Sequence, residues 1–444
     1  MSSLPVPLAQ AGALSPPDMA WMLISCALVL LMVPGVALFY AGMVRSKNAL
    51  NTIMMCFGGA AVACVVWCLA GYSFAFGGDG RWFGGLEHLG LAGVDLAAEG
   101  SIPHLLFAVF QATFAMVAAG CVAGAVVERM RFGAFVSFIA LWTLLIYAPI
   151  CHWVWGGGWL AELGALDFAG GTVVHINAGI TAAVIAWVLG PRKDFGRQAL
   201  LPHSVPTVLL GSGLLWFGWL GFNGGSALAA NETAALAVAN TVLAPCASIM
   251  VWMLLDARRH GQVTAIGAAT AIVVGLVAVT PAAGFVSPMA ALLIGGLSAV
   301  PSYFALLWRA RTRLDDSLDV LSAHGLGGAA GALLTGVFAA TAWGGASSLM
   351  EGDLRQFAVQ LLGIVVAAVY SGGMAFVMAK GIGLVVRLRV DARDEATGLD
   401  VTAHGEKAYA DGEGALLIDA PLPSMMADAP SFKLATAPTH GDVS

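Results

Sequence analysis

Charged side chains are scarce in this sequence: only 10% of its 444 residues are Asp, Glu, Lys or Arg, whereas 59% are hydrophobic. A soluble domain carries about 25% charged residues, so the composition excludes an ordinary soluble globular protein. The mean hydropathy is +0.85, and the length leaves room for roughly a dozen helical spans of about 20 residues with short connections. We therefore predict an integral membrane protein.

Features that would indicate other classes of protein are missing as well. No nucleophile–base pair and no phosphate-binding loop can be recognised, because the glycine runs lie inside apolar spans, so neither an enzyme nor a nucleic-acid-binding protein is expected. The seven cysteines lie in apolar stretches, and only Cys64 and Cys68 have a spacing that weakly suggests a metal site. We therefore expect no metal and no cofactor. The first residues contain no basic stretch, so we expect no cleavable signal peptide.

Apolar stretches long enough to cross a membrane are abundant, and eleven can be delimited. They fall at about residues 17–43, 49–76, 102–127, 133–160, 172–190, 204–225, 233–256, 263–282, 285–308, 319–344 and 357–386. The boundary between the eighth and ninth spans is inferred from their total length, because only the region of Pro281 separates them. The fold class predicted from this pattern is an all-α integral membrane protein with eleven transmembrane helices.

The basic residues indicate the orientation of these spans. If alternate connections, starting after the first span, are cytoplasmic, they and the C-terminal tail hold most of the 20 Lys and Arg residues. The opposite side then holds only Arg81 and Arg355. The positive-inside rule therefore places the N-terminus outside and the C-terminus in the cytoplasm. Eleven spans also allow two inverted five-helix repeats plus one extra helix, an arrangement found in many transporters.

Composition divides the chain into three predicted parts. Residues 1–16 form an N-terminal segment outside the membrane, residues 17–387 the transmembrane domain, and residues 388–444 a cytoplasmic C-terminal tail. The tail is rich in Asp, Glu, Pro and Ala and contains no apolar span. From about residue 411 onward we expect it to be disordered.

Two histidines stand inside spans that are otherwise free of charge. Residues 168–191 and 320–350 contain no Asp, Glu, Lys or Arg, yet the first range holds His175 and the second His324. An ionisable side chain at membrane depth is costly and by default marks a substrate path or a proton relay. The two residues occupy corresponding spans of the predicted repeats, and helical rise from the span ends places both near the middle of a core about 30 Å thick.

Three interpretations of this histidine pair remain open. The rings could form unrelated helix–helix hydrogen bonds, or hold a metal for which no third ligand is evident, or line a pore and share a proton. We favour the third. A neutral imidazole has one donor and one acceptor, so two hydrogen-bonded rings would form a polar line through an apolar conduit.

Residues near the outer ends of the spans could hold a cation. Asp167 precedes two glycines before the fifth span, where it could cap the helix, attract a cation, or do both. Asp319 is its expected counterpart before the tenth span, with capping or anchoring as its role. Aromatic faces attract small cations, although any one ring alone is more often core packing or interface belt. The aromatic candidates in the outer half are Phe110, Phe114, Trp155, Trp219 and Phe222.

Taken together, these residues resemble the ammonium transporter family (Amt/Mep/Rh), in particular its bacterial Amt members. The resemblance covers about residues 18–410. Its most specific blocks are Pro34–Tyr40 with Arg45–Asn48, Asp167–His175, Gly218–Trp219 with Gly221–Asn223, and Gly398–Asp400 with His404–Glu406.

The resemblance implies a role for each candidate residue. The external ammonium site would be formed by Phe110, Phe114, Trp155 and Ser226, flanked by Trp219 and shaped by Asp167. Below it, Phe114 and Phe222 would stack as a gate. His175 and His324 would be the twin histidines of the pore.

The resemblance also implies partners and a location. The family forms homotrimers with one pore per subunit, so we expect a homotrimer surrounded by lipids of the bacterial cytoplasmic (inner) membrane. The cytoplasmic tail would be a docking place for a PII-type signalling protein. The extension after about residue 411 lies outside the resemblance.

The expected function is therefore ammonium transport, in which ammonium ion is recruited outside, deprotonated and conducted as ammonia. Whether the proton crosses separately, which would make transport electrogenic, is left open. Two alternatives remain: an ammonium sensor that signals through its tail, and a conduit for another small neutral solute. The cation-binding aromatic site argues against the second, because a neutral gas needs no cation trap.

Overall fold

Helices that can cross a membrane make up most of the structure, a computed structural model that describes residues 12–409. Within these residues, ten helices are long and apolar enough to span a bilayer. The prediction of an all-α integral membrane protein is thus confirmed. The disorder expected after about residue 411 concerns residues outside the described range.

The helices are numbered here in chain order. The ten candidate membrane helices are α1 (Pro16–Met43), α2 (Ser46–Phe76), α3 (His104–Ala123), α4 (Phe132–Glu162), α5 (Gly171–Leu189), α6 (Val205–Gly225), α7 (Glu232–His260), α9 (Pro288–Arg309), α10 (Leu321–Phe338) and α11 (Leu354–Val385). Between α7 and α9 lies a shorter apolar helix, α8 (Ala265–Val279). Two short helices follow in the tail, α12 (Ala392–Thr397) and α13 (Leu399–His404). The α2–α3 connection contains a two-stranded antiparallel hairpin, β1 (Ala98–Glu99) and β2 (Ile102–Pro103), which the sequence reading did not predict.

Helix α8 is shorter than the span predicted at residues 263–282. It has 15 residues, which at about 1.5 Å per residue cover less than a hydrocarbon core about 30 Å thick. The chain then turns through Pro281 and Ala282, and Ser287 caps the start of α9 at Pro288. Ala282 is fully buried, as irregular backbone at membrane depth must be when it lies against protein rather than lipid.

Corresponding helices of the two predicted repeats pack against each other. In the α1–α6 contact, a Cβ on Gly211 would lie 2.2 Å from the backbone nitrogen of Phe39. In the α5–α10 contact, a Cβ on Gly179 would lie 2.2 Å from the backbone nitrogen of Gly325. Only glycine permits backbones to come this close. The first helices of the two repeats therefore pair with each other, and so do the fifth helices.

The helices that carry the two histidines begin in the same irregular way. Each opens with a six-residue π-helical turn, Gly171–Ile176 in α5 and Leu321–Leu326 in α10. Such turns are rare and occur frequently at functional sites. The first turn is buried throughout, and in the second the four residues Ser322–Gly325 are buried while Leu326 is 38% exposed. Both histidines thus lie on the buried part of their turns.

The tail helices dock on the face of the protein that carries the α1–α2 connection, which the charge distribution predicts to be cytoplasmic. The Asp400 carboxylate accepts hydrogen bonds from the backbone N–H groups of Leu50 (3.1 Å) and Asn51 (2.7 Å) at the start of α2. The Asn48 side-chain oxygen accepts from the backbone N–H of Leu399 at 2.8 Å. We refer to this side as the inner face.

Candidate functional site

Aromatic rings from three helices meet at the end of the protein opposite the inner face. Phe110 and Phe114 lie four residues apart on α3 and therefore share one helix face, with ring centroids 4.9 Å apart. Trp155 of α4 meets the Phe114 ring edge-on at 6.0 Å, and Phe222 of α6 stacks on it at 4.0 Å. Four of the predicted aromatic residues thus form one cluster.

Ser226 adds a polar group at the edge of this cluster, directly after α6. Its hydroxyl donates a hydrogen bond to the carbonyl of Phe222 at 2.9 Å, which leaves the oxygen lone pairs available to accept a hydrogen bond from a ligand. The preceding Gly225 lies against the ring of Phe110. Ser226 and Trp155 are half-buried, so this edge is the accessible side of the cluster.

The rings of Phe114 and Phe222 stack on the inward side of the cluster. The rings are nearly parallel, with an interplanar angle of 19°, and they are 1% and 0% exposed. Rings 4.0 Å apart are in van der Waals contact, so nothing passes between them unless one ring moves.

Asp167 holds the backbone at the entrance to α5. Its Oδ1 accepts from the N–H groups of Gly170 (2.9 Å) and Gly171 (2.6 Å), and its Oδ2 accepts from those of Thr172 (2.8 Å) and Val173 (3.0 Å). Four donors occupy both oxygens, so the geometry is that of a helix cap. A cation nearby would be attracted by the charge of this carboxylate without direct contact.

Asp167 also orients the aromatic cluster. The indole Nε1 of Trp155 donates to the Asp167 backbone carbonyl at 2.8 Å. One residue therefore fixes both the start of the histidine-bearing helix and one wall of the outer cluster.

The two intramembrane histidines face each other. Their Nδ1 atoms are 3.3 Å apart, and the residues are 0% and 5% exposed. In a neutral pair, one Nδ1–H must donate to the other Nδ1, so His175 and His324 would be opposite tautomers. The close α5–α10 approach at Gly179 is what brings the rings within hydrogen-bonding distance.

Ring contacts connect the histidines to the outer cluster. Trp219 stacks on His175 with centroids 5.3 Å apart, and Phe222 does so at 6.0 Å. The Trp219 Nε1 donates to Thr280 Oγ1 at 2.9 Å, which fixes the plane of the indole. Sequence reasoning missed Thr280; the signal available was a polar residue immediately before Pro281 in an apolar stretch.

Of the two roles predicted for Asp319, the structure shows anchoring and not capping: its carboxylate forms an ion pair with Arg309 of α9. The capping counterpart of Asp167 is Asp316, which accepts from the backbone N–H of Leu321 at 2.7 Å and is fully buried. Asp316 also precedes its histidine by the same eight residues as Asp167. Comparing the two spacings in the sequence would have identified it.

A cluster of buried charges on the inner face was not predicted either. Arg192 donates to both oxygens of Asp315 at 2.8 Å and pairs with Glu128, which also accepts from Arg45 at 2.9 Å. Burial alone would raise the pKa of Glu128, but Arg192 and Arg45 outweigh it and hold that pKa below its usual range. The pKa of Asp315 is likewise lowered by Arg192 against the effect of burial.

This charge cluster adjoins a cavity on the inner face. The cavity has a volume of about 280 Å³, and its wall includes Arg192, Gln198, Arg309, Leu318 and Asp319. Leu318 and Asp319 precede the π-helical turn that carries His324, so the cavity lies at the inner end of the same helix.

Comparison with known proteins places the chain among membrane transporters. A family model described as the Ammonium Transporter Family matches residues 20–409. An ammonium transporter of Aquifex aeolicus (strain VF5) is 46% identical over 397 residues, which cover 88% of this chain and 92% of that relative. The crystal structure of Saccharomyces cerevisiae Mep2 is similar with a TM-score of 0.83 at 34% identity, covering 91% of this chain and 94% of that chain.

A further solved structure, named Sensor Amt Protein, has a TM-score of 0.81 at 31% identity and covers 87% of this chain and 98% of its own. The family match, the identity to the Aquifex relative and these two structures all extend over most of the sequence. The chain belongs to the ammonium transporter family.

Proposed function

We propose that this protein transports ammonium across a membrane, binding the ion at the outer cluster and passing ammonia along the histidine pair. The observation that supports the proposal is an unbroken series of ring contacts from the outer cluster to His175. Trp155 and Ser226 form an accessible polar and aromatic edge, the Phe114–Phe222 stack closes it inward, and the Phe222 ring in turn contacts His175.

The chemistry of the outer cluster suits an ammonium ion. Its charge can rest against the faces of Phe110 and Trp155, with each contact worth about 0.5–2 kcal/mol. One of its N–H groups can donate to Ser226 Oγ, whose own proton is already committed to Phe222. Both interactions are available at a site that remains partly open to water.

The path beyond the stacked rings favours a neutral molecule. Moving a bare cation into a low-dielectric interior costs tens of kcal/mol by Born arithmetic, which a few ring contacts cannot offset. Ammonium therefore gives up a proton to water at the open edge of the outer site, and ammonia passes the moving rings to the imidazoles. If the proton follows separately, a potential of about 100 mV contributes about 2.3 kcal/mol per charge.

Uptake of methylammonium by proteoliposomes containing the purified protein tests this function. We expect saturable uptake that ammonium inhibits, and a higher KM for Ser226→Ala because the acceptor of an N–H group is lost. Ser137→Ala is the matched control: Ser137 makes the same hydrogen bond to a carbonyl one turn earlier (2.9 Å to Gly133) but faces outward from α4. Uptake that does not saturate, or equal KM values in the two variants, would contradict the proposal.

A second candidate is an ammonium sensor that signals through its tail. Two observations favour it: the similarity to the structure named Sensor Amt Protein, and the docking of α12 and α13 on the inner face through Asp400. A sensor with little transport would show ligand binding without methylammonium uptake. Its signal would be lost on removal of residues 388–444.

The proposal includes an assembly and a location. Large apolar side chains on α6, α7 and α9 are exposed in the single chain, including Phe217, Met250 and Trp308. In a homotrimer, neighbouring copies and lipid would cover them. We propose this assembly in a bacterial cytoplasmic membrane, with the tail open to a PII-type protein. Native mass spectrometry of the detergent-solubilised protein would give the mass of three chains, and fractionation would locate it.

A further inference from the structure

The segment that enters the outer site from α4 has no regular structure, so its position depends on contacts from elsewhere. Three polar side chains in the first two turns of α11 supply them. Arg355 donates to the Leu163 carbonyl at 3.0 Å, and Gln356 donates to the Gly164 carbonyl, also at 3.0 Å. The third, Gln360, holds Leu166, the residue immediately before Asp167.

The Gln360 amide binds Leu166 at both of its backbone groups. The Oε1 accepts from Leu166 N–H at 2.8 Å, and the Nε2 donates to the Leu166 carbonyl at 2.7 Å and to the Ala332 carbonyl of α10 at 3.2 Å. Gln360 is 3% exposed. The side chain thus makes the two backbone hydrogen bonds that a neighbouring β-strand would otherwise make. Because the site is buried, water could not substitute for them.

The structure around Gln360 is shaped to admit it. A Cβ on Gly336 of α10 would lie 3.1 Å from the Gln360 Cγ, tighter than ordinary contact. The amide accepts from two donors, Leu166 N–H and Gln356 Nε2, and donates to two carbonyls. Such a buried amide is costly to lose, because each orphaned buried group costs its full desolvation. The position of Leu166 is therefore set by α11, which lies outside the two predicted repeats.

We infer that Gln360 is a positioning residue for the outer ammonium site and acts through Asp167. This inference rests on the proposed function. By fixing the Leu166 peptide, Gln360 fixes the Asp167 carbonyl that orients the Trp155 indole. It also fixes the Asp167 carboxylate that caps the turn leading to His175. Site geometry is sensitive to displacements of about 1 Å, which can cost up to about 100-fold in rate.

Gln360→Leu tests the inference, because leucine is close in size but makes no hydrogen bond. We expect the KM for methylammonium to rise at least about tenfold with a smaller change in maximal rate, since the outer site is displaced while the histidine pair keeps its α5–α10 packing. Gln360→Glu keeps the acceptor for Leu166 N–H and should recover part of the affinity.

Gln356→Leu is the matched control. Gln356 has the same chemistry, the same 3% exposure and the same helix, but it holds Gly164, which is farther from Asp167. Its contact with Gln360 is long, at 3.3 Å. We expect its KM to stay within about twofold of the wild-type value. Equal effects of the two leucine variants would mean that α11 merely anchors the segment, and would overturn the inference.

Hydrogen exchange provides a readout that does not depend on transport. In Gln360→Leu, the backbone N–H groups that Asp167 binds, from Gly170 to Val173, should exchange faster than in the wild type and in Gln356→Leu. Unchanged exchange would overturn the inference even if uptake falls. If the exchange result is as expected but the wild type transports no ammonium, the geometry stands and the proposed function fails. Should Gln360→Leu not fold, Gln360→Glu decides by the same exchange measurement.

Discussion

Asp167 and Asp316 each precede one of the two facing histidines by eight residues, and each caps the π-helical turn that carries it. The two caps differ in strength. Asp167 accepts from four backbone N–H groups, whereas Asp316 has one close bond from Leu321 and a buried Oδ1 with no partner among the described side chains. The two carboxylates occupy corresponding positions, but Asp167 satisfies more backbone N–H groups than Asp316 does.

This inequality predicts unequal effects of alanine substitution. Asp167→Ala leaves up to four buried N–H groups without an acceptor, each worth about 1–3 kcal/mol. We expect it to abolish uptake and to lower the melting temperature strongly. Asp316→Ala should fold with a smaller loss. Melting curves and uptake of both variants provide the measurement, and equal destabilisation would show that the caps are equivalent.

The two stacked phenylalanines are also predicted to differ. Phe222 contacts Phe114, Trp219 and His175, whereas Phe114 contacts only the outer rings and Phe222. Phe222→Ala should therefore disturb the histidine surroundings and reduce the maximal uptake rate about tenfold or more. Phe114→Ala should mainly weaken binding. Measuring KM and maximal rate for each variant separates these outcomes, and the reverse ranking would contradict the assignment of Phe222 to the inner wall.

The buried charges of the inner face are predicted to stabilise the fold. Glu128→Gln leaves Arg192 with only Asp315, and breaking a buried pair costs about 3–5 kcal/mol. The control is Glu162→Gln, because the Arg81–Glu162 pair is 60% and 50% exposed and exposed pairs contribute at most about 1 kcal/mol. A melting temperature unchanged in Glu128→Gln would show that the pair is dispensable.

The lowered pKa of Glu128 predicts that folding stability depends on pH. The folded-state pKa of Glu128 is lowered, so its contribution is fully present above the ordinary glutamate pKa of about 4.3. This contribution to stability is lost as the pH falls through the lowered pKa of Glu128 in the folded state. The stability difference between wild type and Glu128→Gln should thus be constant from pH 8 to about pH 5 and shrink below about pH 4. Melting curves of both proteins across this range test it.

Hydropathy and charge were sufficient to predict the spans, because a lipid-facing helix must be apolar over its full length. The sixth span was predicted at residues 204–225 and is observed as Val205–Gly225. The prediction was less accurate at α8, where the apolar stretch was extended to residue 282 although the helix ends at Val279, immediately before Thr280 and Pro281. Irregular backbone that is buried by neighbouring helices has the same composition as a helix.

The candidate site could be predicted only in part. The histidines and aromatic residues are unusual for their surroundings, so the sequence singles them out. Gln360 and Glu128 act through partners more than 60 residues away in the chain, and nothing local distinguishes them from other polar residues near helix ends. The sequence analysis predicted Asp319, three residues after Asp316, as the counterpart of Asp167 and so missed Asp316.

The contact between the two histidines leads to a prediction about charge movement during transport. His175→Leu removes one ring of the pair and leaves the Nδ1 of His324 without its partner at 3.3 Å. If protons cross by way of the imidazoles, ammonium-induced current on a solid-supported membrane should disappear in this variant. Ser226→Ala, which keeps both rings, should retain current at saturating ammonium with a shifted concentration dependence. Undiminished current in His175→Leu would rule out a proton route through the pair, because leucine can neither accept nor donate a proton.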